Sequence, residues 1–155
     1  MKIKEAKNIQ IRTWYGLNAD ITIGPGFIHR TGWRSFHIPH PPMVNWLLRR
    51  GLKEEDYYTL SMSHEFAHFQ SALLALPYTV GLVALAAAKG HSLIPLVIII
   101  ISTHAFWELL SEVLTILRDR QFYRRCYVGI SSAPRRIFWI SMSVLALLGW
   151  GTMLF

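Results

Sequence analysis

Cysteine occurs once in the 155 residues, at Cys126, which excludes an intramolecular disulfide and a structural zinc site built from several thiolates. Acidic residues are scarce, 9 against 16 lysines and arginines, and only 16% of the chain is charged while 52% is hydrophobic. An ordinary water-soluble domain carries more charge than this. The shortage is concentrated: between Glu65 and Glu108 the only formally charged residue is Lys89, and from Ile137 to Phe155 there is none. Internal repeats and low-complexity tracts are missing as well. Residues 1–20 contain Lys2, Lys4, Lys7 and Arg12 but no uninterrupted apolar core and no small-residue cleavage pattern, so the N terminus is expected to stay on the side of synthesis.

Three apolar blocks remain, at about 72–88, 93–117 and 137–155, each near the roughly 20 residues a helix needs to cross a bilayer. A chain this short cannot bury three such segments within itself. Lys89-Gly90-His91 reads as the turn of a helical hairpin, with Pro77 and Pro95 near the starts of the first two blocks, where a missing amide donor is tolerated best. Arg118, Arg120, Arg124, Arg125, Arg135 and Arg136 lie between the second and third blocks against Asp119 alone, which assigns that loop and the basic N-terminal region to the cytoplasm. The net charge of +7 is therefore read as a topology and lipid-headgroup signal. No nucleic-acid-binding module accompanies it, so no nucleic-acid partner is expected. Trp107, Trp139, Trp150 and Tyr123 are candidates for interfacial anchors or for packing between helices.

The expected fold is a mainly α integral membrane protein with about three transmembrane helices and a small, partly β N-terminal region. Its parts are residues 1–63, a motif helix and hairpin over 53–117, a basic loop over 118–136 and a last helix over 137–155. Ile9-Gln10-Ile11-Arg12 and Asp20-Ile21-Thr22-Ile23 alternate as strands do, with a break at Gly24-Pro25-Gly26. Residues 36–42 read as an extended loop and 43–50 as a short helix closed by Gly51. Glu54, Glu55 and Asp56 mark a helix N terminus, and that helix is expected to run on into the first apolar block.

The chemistry concentrates in His64-Glu65-Phe66-Ala67-His68. Histidines four apart share one helical face, close enough to hold one metal ion, with Glu65 placed to take a proton from water. Neutral nitrogen ligands, a Lewis acid and a general base are what metal-assisted hydrolysis needs together. Two histidines leave a catalytic zinc short of a protein ligand, and Glu108 and Glu112 are the candidates, because carboxylates in an apolar block are costly unless paired or metal-bound. His68 lies 22 residues before Gly90, Glu108 lies 18 after it and Glu112 lies 22 after it. In an antiparallel hairpin these come to one level within about two turns. His104 shares their face and is a further donor beside the site. Tyr57, Tyr58, His104 and the N-terminal histidines are candidates for an oxyanion partner, while His29, His37, His40 and His91 read as loop or packing residues.

The pair of motifs, His64-Glu65-Phe66-Ala67-His68 and then Glu108-Leu109-Leu110-Ser111-Glu112, resembles the gluzincin metallopeptidases. The hydrophobic hairpin between them is similar to that of the membrane-embedded members: the heat-shock and CaaX-type membrane proteases and the peptidase domains of β-lactam sensors. The resemblance covers His64 to Glu112. It implies a zincin-like site with one Zn2+ held by His64, His68 and Glu108, with Glu65 as general base and acid. Glu112 would orient a ligand histidine from a position where the family pattern has aspartate. It further implies a peptide or protein substrate and Ala19–Ile23 as an edge strand along which substrate adds, and the charge distribution puts that active site at the cytoplasmic side of the cell membrane. A latent form completed by a partner or a second copy is a variant of this reading. Competing readings are a membrane di-iron oxygenase or desaturase, a site-2-type protease, and a non-catalytic metal-stabilised sensor or scaffold. The first needs more histidine boxes, the second lacks its later aspartate motif, and the third has no use for Glu65.

Overall fold

The computed structural model describes residues 7–25, 30–31, 34–39, 51–90, 92–127 and 132–154. Four strands, β1 (Lys7–Arg12), β2 (Asn18–Gly24), β3 (Arg30–Thr31) and β4 (Ser35–Pro39), precede four helices: α1 (Glu54–Ala88), α2 (Leu93–Arg118), α3 (Arg120–Tyr127) and α4 (Ser132–Leu154). The expected helix over 43–50 falls outside the described residues.

The strands form one sheet in the order β1-β2-β4-β3, with β1 antiparallel and β4 parallel to β2. Alternation along β2 buries Ala19, Ile21 and Ile23 and turns Asp20 outward; Phe36 and Ile38 of β4 join the buried side. This places β2 inside the sheet, paired on both sides, and corrects the expectation that Ala19–Ile23 is an edge. The edges are β1 and β3. Residues 35–39, expected in a loop, are the strand that covers β2; the alternation of Phe36 and Ile38 serves that pairing despite the flanking prolines.

The β1-β2 turn falls at residues 13–17, where Gly16 adopts φ +88° and the Leu17 amide donates to Thr13 Oγ1 at 2.8 Å. Its tip grips α1 immediately after the histidine motif. The Trp14 amide donates to Gln70 Oε1 (3.2 Å), Trp14 Nε1 donates to the Gln70 carbonyl (3.1 Å), and the Tyr15 hydroxyl donates to the Phe69 carbonyl. The buried sheet face, Tyr57, Tyr58, Leu60 and Phe69 of α1, and Tyr123 and Cys126 of α3 make one apolar core.

α1 runs 35 residues without a break, roughly 52 Å at 1.5 Å per residue, so the acidic first turn, the histidine motif and the first apolar block are one rod. Pro77 therefore sits inside a helix rather than near its start, and its missing amide leaves the Leu73 carbonyl without the usual partner. Gly90, at φ +72°, closes the expected hairpin with α2. Among the described residues, α1 and α2 are long and apolar enough to cross a membrane; α4 covers the third block. Leu74, Val80, Leu93, Ile94, Ile137 and Leu147 are each at least 65% exposed, an unusual display of large apolar side chains.

α2 is the middle helix, packed on α1 along one side and α4 along the other. The α2-α4 contact is close because Gly149 faces Ser102: a Cβ at position 149 would lie 2.4 Å from Ser102 Oγ, whose hydroxyl donates to the Ala146 carbonyl at 2.6 Å. Gly149→Ala is expected to destabilise the protein by about 1–3 kcal/mol through this overlap. Thermal unfolding in detergent checks it, and Ser102→Gly placed in the same chain is expected to recover part of the loss by moving the gap to the other helix.

The stretch expected as a basic loop contains α3. Asp119 accepts from the Phe122 amide at 2.8 Å and caps it. Tyr123 and Cys126, three apart, turn inward while Arg120, Arg124 and Arg125 stay exposed. Burial pushes the Cys126 thiol up to about 11, with Asp56 adding to the shift, so it stays protonated at neutral pH.

Candidate metal centre

The α1-α2 hairpin brings four of the expected site residues together. His64 and His68, one turn apart on α1, direct their Nε2 atoms to one point, 3.2 Å from each other. Glu108 of α2 faces them, with Oε2 3.3 Å from His64 Nε2 and Oε1 3.4 Å from His68 Nε2. Taking one donor atom from each residue, the three lie within 4.8 Å of one another.

The far sides of both rings are held. Glu112 Oε2 accepts from His64 Nδ1 at 3.0 Å, and Ser111 Oγ lies 2.9 Å from His68 Nδ1. These contacts turn the Nε2 edges of both rings toward the Glu108 carboxylate. Groups at this spacing are held together by a shared proton or by a cation bound among them. The spacing also suits a tetrahedral metal: ligand bonds of about 2.0–2.1 Å put neighbouring donors about 3.3 Å apart. The donor set, nitrogen, nitrogen and carboxylate oxygen, fits zinc.

Glu65 follows His64 on α1 and is part-buried; among the described residues no hydrogen bond ties up its carboxylate. His104 lies one turn before Glu108, its Nε2 3.6 Å from Glu108 Oε1, and is 68% exposed, so it borders the site on the open side. Tyr57 and Tyr58 are buried in the core with the sheet. His37 lies in β4; His29, His40 and His91 fall outside the described residues.

Three contributors were not legible as such in the sequence. Ser111 is fully buried and fixes His68. Trp107 packs edge-on against His68, ring centroids 5.5 Å apart, and its Nε1 donates to Ser71 Oγ at 2.9 Å, so it is an interior wedge at this level of the hairpin. Tyr123, a candidate for an interfacial anchor or for packing between helices, is packed inside at 2% exposed, and its hydroxyl donates to Glu112 Oε1. Burial, reinforced by the Glu112 charge, raises this phenol above the ordinary tyrosine range and keeps it a donor. For Ser111 the signal is a small polar residue within the Glu108–Glu112 segment; for Tyr123 it is the amphipathic spacing of α3.

A groove of about 490 Å³, lined by Phe66, Ala67, Leu114 and Leu117 with Trp14 and Arg118 at its rim, also touches Ser63 and Gln70. At about 100° per residue these α1 positions lie largely on the side of the helix away from Glu65, so the groove is separate from the face that carries it. Comparison with known protein families, curated proteins and solved structures gives no match.

Proposed function

We propose that this chain is a membrane-bound zinc metalloendopeptidase of the gluzincin type. The observation that carries the reading is the convergence of His64 Nε2, His68 Nε2 and the Glu108 carboxylate at ligand spacing, with the unengaged Glu65 carboxylate beside them. His64, His68 and Glu108 would hold the ion, Glu112 and Ser111 keep the two rings turned to that point, and Trp107 packs against His68. Bound there, Zn2+ supplies a Lewis acid that polarises a carbonyl and acidifies water.

Glu65 takes the proton from water as its oxygen bonds to the peptide carbonyl carbon. It returns that proton to the amine nitrogen as the C–N bond breaks. His104, exposed and 3.6 Å from Glu108 Oε1, borders the site and is the proposed donor to the developing oxyanion.

The apolar α1-α2 hairpin and the third block on α4 cross the bilayer, with the arginines of α3 and the N-terminal sheet on the cytoplasmic side. His64, His68 and Glu108 then sit at the cytoplasmic end of the spans, and the substrate is a peptide or protein reaching that surface.

The test is metal content per chain in detergent-purified protein, together with hydrolysis of an unfolded protein substrate with and without chelator. One zinc per wild-type chain, lost in His68→Ala, with chelator-sensitive cleavage, is the expected result. Two irons per chain would establish an oxygenase-type centre, and bound zinc without cleavage under any condition would leave a metal-stabilised scaffold; either outcome overturns the peptidase reading.

A further inference from the structure

Glu112 carries one more methylene than the aspartate of the gluzincin pattern, and that extra torsion frees its carboxylate to swing away from the ring it should hold. The structure contains a device that removes this freedom. Glu112 Oε2 accepts from His64 Nδ1 at 3.0 Å, and its other oxygen, Oε1, accepts from the Tyr123 hydroxyl. A carboxylate held at both oxygens has its last torsion fixed.

Tyr123 is itself immobilised. Its ring packs on Tyr127, centroids 4.7 Å apart, and the Arg135 guanidinium of α4 lies over both rings, 5.5 Å from Tyr123 and 5.3 Å from Tyr127. Asp119 caps the helix that carries the two tyrosines. A continuous series of contacts thus runs from Arg135 through Tyr123 and Glu112 to His64.

We propose that Tyr123 is a positioning residue for the metal centre, locking Glu112 onto His64, and that Arg135 holds Tyr123 in place. Through this series α4, whose described residues contribute no ligand, is linked to the geometry of the metal site. The assignment rests on the zinc-site reading above.

The experiment is zinc affinity by chelator competition, with the visible spectrum of the cobalt-substituted protein as a report on ligand geometry. The chains compared are wild type, Tyr123→Phe, Arg135→Gln, Glu112→Ala and the double variant Glu112→Ala/Tyr123→Phe. Phenylalanine keeps the ring and its packing, so Tyr123→Phe is expected to fold, to weaken zinc binding about 10-fold and to alter the cobalt spectrum. Arg135→Gln is expected to weaken binding in the same direction by less.

The double variant separates positioning from general loosening. If Tyr123 acts through Glu112, removing its hydroxyl from the Glu112→Ala background costs no further affinity. Unchanged affinity in Tyr123→Phe, or an equal further loss in the double variant, overturns the assignment. A wild type that binds one zinc while Tyr123→Phe is silent leaves the metal site standing; a wild type that binds none removes both.

Discussion

Glu65→Gln is expected to retain one zinc per chain and to lose peptide hydrolysis by about 10²- to 10⁴-fold, the range for removal of a positioned general base. The substitution replaces one carboxylate oxygen by an amide and leaves the helix and the neighbouring ligands in place. Glutamine cannot accept and return a proton at neutral pH, so the loss falls on kcat rather than on KM. Parallel metal analysis and turnover measurements check it. Wild-type turnover in the variant would falsify the assignment of Glu65, whatever the metal content.

Glu108→Ala is expected to weaken zinc binding more than Glu112→Ala does. Glu108 faces both Nε2 atoms, at 3.3 and 3.4 Å, whereas Glu112 reaches only the far nitrogen of His64. If four ligands share a zinc-binding free energy of about 10–16 kcal/mol, loss of one is worth roughly 2.5–4 kcal/mol, about 70- to 1,000-fold in affinity. Loss of a group that only orients a ligand is worth about 10- to 100-fold. Chelator competition on the two variants separates them. The reverse order would exchange the roles of the two glutamates and place Glu108 behind a ligand ring.

The helices were the legible part of this chain. Uncharged runs and the Lys89-Gly90 turn specify a hairpin because apolar length and a helix-breaking turn are properties of the sequence itself. Pro77 lies inside the α1 helix that the sequence leads one to expect to run on into the first apolar block, and it removes one helix hydrogen bond without ending the helix. Strand alternation in Ile21 and Ile23 reveals a buried face but not a strand's neighbours, so the interior position of β2 depends on where Phe36 and Ile38 return.

The site divides in the same way. His64, His68 and Glu108 follow from helical spacing and from the hairpin register about Gly90. Ser111 and Tyr123 do not, because what makes them matter is contact across elements: one across the hairpin and the other through a helix hidden in a stretch rich in arginine.

The unbroken run of α1 from its acidic first turn to Ala88 makes the metal centre mechanically dependent on the apolar half of the same rod. From Pro77, the one interior position lacking an amide donor, His68 is nine residues away, about 13 Å along the axis. A tilt of only about 5° about that point would carry the His68 ring roughly 1 Å across the face of α2, as large as the misplacements that disable catalytic geometry. Helices that span bilayers change tilt as the hydrocarbon thickness changes. In the proposed setting a change of bilayer thickness that tilts α1 about Pro77 is expected to shift His64 and His68 against Glu108. The grip of Trp14 on Gln70 and of Tyr15 on Phe69, just beyond His68, opposes such a shift.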